Sequence, residues 1–143
     1  MDERMEIRWK QRFENYKKAL EDLADAVELA TERELNFLEA KGLVARFESV
    51  HDMAVKTIAD FYEEQGVTPL YGPKDIFRHA FINGLIQRGQ IWMDMIKSRK
   101  QAYCLFGKDM TDNIVRQVCC AYFAEFEQLR DTLQKRSEYA PQF

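Results

Sequence analysis

Seven apolar residues near the start of the chain recur in alternating steps of four and three: Trp9, Phe13, Tyr16, Leu20, Leu23, Val27 and Ala30. Only a helix lines up positions with that spacing, and the stripe they make is as narrow as a heptad seam. A helix with one such stripe must bury it against another helix. The spacing predicts a first helix over about 4–30 that belongs to a bundle or coiled coil. Trp9 and Tyr16 are bulky for a seam, and two readings of them stand. They fill this chain's own core, or one end of the helix meets a second subunit.

The rest of the chain repeats the pattern. Thr31 and Glu34 have the spacing of a capping box. A helix follows with a possible break at Gly42, because glycine costs about 1 kcal/mol against alanine in a helix interior. From Val44 the seam resumes through Phe47, His51, Ala54, Ile58 and Phe61 and stops at Gly66, a good C-cap. His51 on an apolar stripe reads as a hydrogen-bonded core residue. Pro73 suits a first helical turn. It opens a short helix to about Asn83 with Ile76, Phe77, Ala80 and Phe81 on one face. A turn at Gln87-Arg88-Gly89 leads to a helix from Gln90 to Ala102 with Ile91, Trp92, Met95 and Ile96 inward. After a break at Gly107 to Asp109, a last long helix covers about Thr111 to Arg136. Its seam is Ile114, Val118, Tyr122, Phe126, Leu129 and Leu133. No strict alternation argues for a strand.

These elements predict an all-α fold, an antiparallel (up-and-down) bundle of four or five helices. It forms one domain over residues 1–143 with a short frayed tail after about 137. At 143 residues such a chain can bury a real core without staples. No apolar run approaches the ~20 residues of a membrane span, and the charged start is unlike a signal peptide. The cysteines Cys104, Cys119 and Cys120 show neither a disulfide framework nor zinc-ligand spacing. Reduced thiols in the cytoplasm fit this pattern. The net charge of -3 argues against duplex DNA binding by electrostatics. Phosphate-binding loops, nucleophile elbows and His-Glu-x-x-His motifs are absent.

One segment stands apart. Between Gly72 and Phe106 the chain collects Lys74, Arg78, Arg88, Lys97, Arg99 and Lys100 around Trp92. Cations late in a helix favour its negative end, which accounts for Arg99 and Lys100 without a ligand. The functional reading is an anion site. A forked guanidinium grips phosphate, and Trp92 or Tyr103 stacks on a base.

Several stretches in this order resemble a known family. They are Gly42-Leu43-Val44-Ala45-Arg46-Phe47-Glu48, then KTIADFYEEQG from Lys56 to Gly66, then Gly72-Pro73-Lys74-Asp75-Ile76 with Arg78, Ala80 and Phe81. Gly84-Leu85-Ile86, Ile91-Trp92-Met93-Asp94-Met95 and Ser98-Arg99 complete the set. Together they are similar to the nucleotidyltransferase substrate-binding proteins, a branch of the HEPN superfamily of helical bundles. The resemblance implies a homodimer that pairs with a separate, minimal nucleotidyltransferase. That partner would carry the catalytic carboxylates, the metal and the nucleoside triphosphate, leaving no cofactor on this chain. It also implies a nucleotide- or phosphate-binding groove formed by Arg99, Lys100, Arg78 and Trp92.

Related toxin–antitoxin bundles are ribonucleases with an Arg-x4-His-x-Tyr motif. Here Arg99 matches, but Cys104 stands at the His position and Phe106 at the Tyr position. An unperturbed thiol titrates near 8.5 and is a poor base at neutral pH. Phe106 has no hydroxyl to modify. The expectation is therefore a non-catalytic binding subunit. A degenerate ribonuclease toxin and a purely structural helical adaptor are the rivals.

Overall fold

The computed structural model describes residues 3–67, 69–103 and 107–138. Every element among them is helical: α1 (Glu3–Glu32), α2 (Phe37–Glu64), α3 (Gly72–Ile82), α4 (Gly89–Tyr103), α5 (Lys108–Gln117), a π turn (Val118–Tyr122) and α6 (Phe123–Glu138). The last three run on without a gap and form the long final helix that the seam predicts. Residues 139–143, most of the expected tail, lie outside the described residues.

The two longest helices form an antiparallel hairpin. Two ion pairs and a hydrogen bond set the register: Arg8 with Glu63, Arg12 with Asp60, and Arg46 donating to the Asp22 backbone carbonyl at 2.7 Å. As the α1 number rises the α2 number falls. The α1 stripe from Trp9 to Val27 is buried, as are Val44, Phe47, His51, Ala54, Ile58 and Phe61 opposite. Trp9 meets Phe61 edge-on with ring centroids 5.1 Å apart. Tyr16 is fully buried and donates its hydroxyl to the Phe126 carbonyl at 2.7 Å, tying α1 to α6. Both bulky seam residues therefore fill this chain's own core.

Two local expectations are corrected. The capping box lies not at Thr31 and Glu34 but at Asn36 and Glu39, whose side chains each bond the other's backbone N–H, at 2.8 and 2.9 Å. The first helix runs through Thr31, whose hydroxyl instead donates to the Glu28 carbonyl. Nor does Gly42 break α2. Its cost of about 1 kcal/mol is smaller than the gain of about 2 kcal/mol from burying each of Leu43 and Val44. A third difference is at Phe81. Expected on the apolar face of α3, it is 49% exposed, while Ile76, Phe77 and Ala80 are buried.

The turns that end α2 and α3 share one geometry. After α3, the N–H of Gly84 bonds the Phe81 carbonyl and that of Leu85 bonds the Ala80 carbonyl, with Gly84 at φ 77°. Gly66 (φ 81°) does the same after α2, through the Glu63 and Tyr62 carbonyls. Paired bonds of this kind satisfy the last carbonyls of a helix and need a residue in the left-handed region. The α3 turn delivers Leu85 and Ile86 into the core at once. We expect Gly84→Ala to destabilise the fold by about 1 kcal/mol, because a Cβ is disfavoured at that φ. Thermal unfolding measures it, and an unchanged melting temperature would contradict the assignment.

The π turn has a cause in the seam. From Ile114 to Phe126 the apolar positions advance by four residues three times running. Each such step overshoots a full α-helical turn by about 40°. The wider turn at Val118–Tyr122 takes up the excess, so Ile114, Val118, Tyr122, Phe126, Leu129 and Leu133 all remain buried.

Candidate functional site

Helix α4 turns Trp92, Met95 and Ser98 inward and leaves the next residue, Arg99, at the boundary with α2. There α2 presents two carboxylates one turn apart, Glu48 and Asp52. The Arg99 guanidinium meets both. Nε and Nη2 donate to the two oxygens of Asp52, each at 3.1 Å, and Nη1 lies 3.1 Å from Glu48 Oε2. Fork-on-carboxylate pairing is the strong form of this interaction and fixes geometry as well as charge.

The surroundings set the titration of these groups. A hydrogen bond with His51, long at 3.4 Å, and then the hydrogen bonds and charge of Arg99 hold the Asp52 carboxyl well below the usual carboxylate range, against the opposing effect of burial. Burial pushes Glu48 upward, with Arg99 opposing it. The hydrogen bonds it donates to Asp52 raise Arg99 further, so it stays charged. Two carboxylates around one guanidinium leave the cluster net negative while both are ionised. A phosphate reaching Arg99 would compete with these two carboxylates.

The other expected site residues fall in different places. Lys100 follows Arg99 on α4 and is exposed, but consecutive helical residues do not face each other. Arg78 is exposed on the outer side of α3. Trp92 has no exposed surface at all. Its ring packs edge-on against Phe77 (4.8 Å) and Phe126 (5.6 Å) and offers no face to a base. Tyr103 is 84% exposed. Cys104 and Phe106 lie outside the described residues.

Beside Arg99 a polar cleft of about 330 Å³ opens between α4 and the π turn, lined in part by Asp94, Lys97, Gln101 and Asn113. At its base Ser98 and Tyr122 both donate to Gln117 Oε1, at 2.9 and 2.6 Å, and their oxygens lie 2.7 Å apart. Sequence reasoning passed over this group and over the pairing of Glu48 and Asp52 with Arg99. The signals were present: a pair of acids spaced by four beside a seam histidine, and the run of four-residue steps that marks the π turn. Cys119, in that turn, has its thiol pushed up by burial and is a poor nucleophile. Among the described residues no cluster of three or more His, Cys, Asp or Glu could hold a metal ion, and no helix is long and apolar enough to cross a membrane.

Comparison with known proteins decides the family. The model described as "Nucleotidyltransferase substrate binding protein like" matches residues 11–135. The chain belongs to this family. Two solved structures share its fold. A protein from Thermus thermophilus superposes with a TM-score of 0.70 at 18% identity, covering 87% of this chain and 99% of its own. A chain from a mutant MntA–HpeT toxin–antitoxin structure gives 0.72 at 14% identity, with 89% and 97% covered. No curated protein sequence matches. The family match begins just after Trp9 and stops within the last turn of α6, so it takes in the α2–α4 ion cluster and the cleft together.

The cluster predicts an acid-limb effect. A depressed Asp52 contributes stability above its unfolded value near 4, and that contribution is lost as pH falls through the lower folded value. Glu48, shifted upward, acts in the opposite sense. We expect Asp52→Asn to flatten the fall of melting temperature between about pH 4 and pH 2. Identical slopes for variant and parent would show that Asp52 is not held by His51 and Arg99 in solution.

Proposed function

We propose that this chain is the non-catalytic substrate-binding subunit of a two-component nucleotidyltransferase. The observation that carries this reading is the family match across residues 11–135. In this reading the bundle works in the cytoplasm as a homodimer and presents substrate to a separate chain. That chain supplies the metal, the nucleoside triphosphate and the transfer chemistry. The structural likeness to a toxin–antitoxin component supports a two-part system.

Arg99 is the proposed phosphate contact. Its guanidinium is already aligned by Asp52 and Glu48 and remains about one quarter exposed. A phosphate that exchanges with Glu48 would keep the fork on Asp52. Lys100 follows Arg99 on α4, Arg78 stands apart on the outer side of α3, and Trp92 supports α4 from within the core.

Native mass measurement of the tagged chain purified from its source cells tests the pairing. The expected result is a complex with two copies of this chain and a small nucleotidyltransferase. A bare homodimer would reduce the reading to a shared fold. For the site, a saturating nucleoside monophosphate, standing for a phosphate-bearing substrate, should raise the melting temperature by several degrees, the size expected when a ligand is at about 100 times its dissociation constant. Arg99→Ala should abolish that rise while leaving the helical content unchanged. A rise of equal size in the variant removes Arg99 from the site.

A further inference from the structure

Helix α3 has two faces. Ile76, Phe77 and Ala80 are buried against the bundle. On the opposite side, in steps of three, four and three or four, lie Tyr71, Lys74, Arg78, Phe81 and Ile82. All are exposed: Tyr71 by 82%, Ile82 by 73% and Phe81 by 49%. Three large apolar side chains in one solvent-facing stripe are unusual for a surface helix and mark an interaction site.

The stripe is preorganised. Tyr71 caps α3, and its backbone N–H donates to Asp75 Oδ2 at 3.0 Å. The Phe81 ring rests on the backbone of Gly89, so closely that a Cβ there would sit 3.1 Å from the ring. Arg88, the residue before Gly89, is exposed in the preceding turn. A side chain already held in place loses less freedom on binding. Next to Tyr71 a mainly apolar cleft of about 300 Å³ is lined by Ala59, Tyr62, Val67, Pro69 and Leu70, with Glu63, which pairs with Arg8, at its edge. Tyr62 packs edge-on against His79 of α3 at 4.4 Å, joining the cleft to the stripe.

Its charge selects the occupant. Lys74, Arg78 and Arg88 have no ion pair among the described residues, and the one acidic residue of α3, Asp75, is engaged with Tyr71. Three cations and one carboxylate, a net charge of +2, therefore surround the exposed apolar groups, in a chain whose own net charge is -3. A second copy packed through this face about a two-fold axis would oppose six cations and is disfavoured. Ile82, aliphatic and among the most exposed members, cannot stack on a base, which argues against a nucleic-acid platform. Tyr, Phe and Arg around an apolar centre are the residue types that anchor protein interfaces.

We propose that the outer face of α3 docks the nucleotidyltransferase subunit, through a partner surface with an apolar centre and an acidic rim. This rests on the binding-subunit reading above. It places the docking face opposite the buried side of α3, whereas Arg99 faces α2.

The test uses the full tagged chain, with the co-purifying nucleotidyltransferase identified by mass and quantified. Lys74→Glu with Arg78→Glu, and separately Ile82→Asp, should each lower its recovery about tenfold or more. Arg116→Glu, an exposed charge reversal on α5, should leave it unchanged. Melting temperatures of all variants report folding. Undiminished recovery with the α3 variants overturns the docking face and leaves the binding-subunit reading intact. Absence of any nucleotidyltransferase with the parent chain overturns both. If the variants instead lose a labelled single-stranded oligonucleotide while nucleotidyltransferase recovery is unchanged, the face binds nucleic acid and the proposal fails.

Discussion

Burial of one narrow stripe of α1 against α2 sets the frame on which the other elements are placed. Six side chains from Trp9 to Val27 are removed from water, at about 2 kcal/mol each by area. The stripe is too narrow to allow a slipped register, and the flanking ion pairs of Arg8 and Arg12 agree with it. Because α2 is thereby fixed along its length, Phe47 can take Tyr122 and Phe126 on its far side, with centroids 5.5 and 6.2 Å away. Trp92 closes the same aromatic cluster through Phe126 and Phe77. The shorter helices are thus placed by rings that α2 presents.

A polar layer sits at the edge of that cluster. Arg99 joins α4 to α2 through Asp52 and Glu48, while Ser98 joins α4 to the final helix through Tyr122 of the π turn and Gln117 of α5. Two adjacent residues on one helix therefore bridge to two different neighbours. A ligand that drew Glu48 or Asp52 away from Arg99 would loosen only the first bridge. The second would still hold α4, so binding need not disturb the core.

Much of the fold was legible in the sequence because it is written in the period of the apolar residues. The seams of α1, α2 and the final helix are buried as their spacing predicts. Boundaries were less legible. Thr31 and Asn36 can both cap a helix, and the choice depended on how far α1 continued, which its own apolar stripe does not say. Gly42 looked like a break because its local cost is visible in the sequence while the burial of Leu43 and Val44 is not. The candidate site was harder still. Arg99 could be picked out as a cation near a family motif, but its partners lie 47 and 51 residues earlier in the chain. Trp92 was read as a stacking platform because an aromatic among cations has the same appearance whether it faces solvent or, as here, the core.

The π turn gives the final helix a property that its length conceals. Successive α-helical residues rotate by about 100°, so one residue more or fewer re-aims everything downstream. Val118–Tyr122 acts as a phase offset between two otherwise regular segments. Upstream, α5 is aligned with the polar cleft; downstream, α6 is aligned with Tyr16 and the α1 seam. A one-residue insertion or deletion anywhere between Ile114 and Phe126 would have to be compensated within this turn, or one of the two alignments would be lost. The helix is in this sense a pair of separately indexed parts, and descendants of this chain could change the face toward the cleft without re-registering the core.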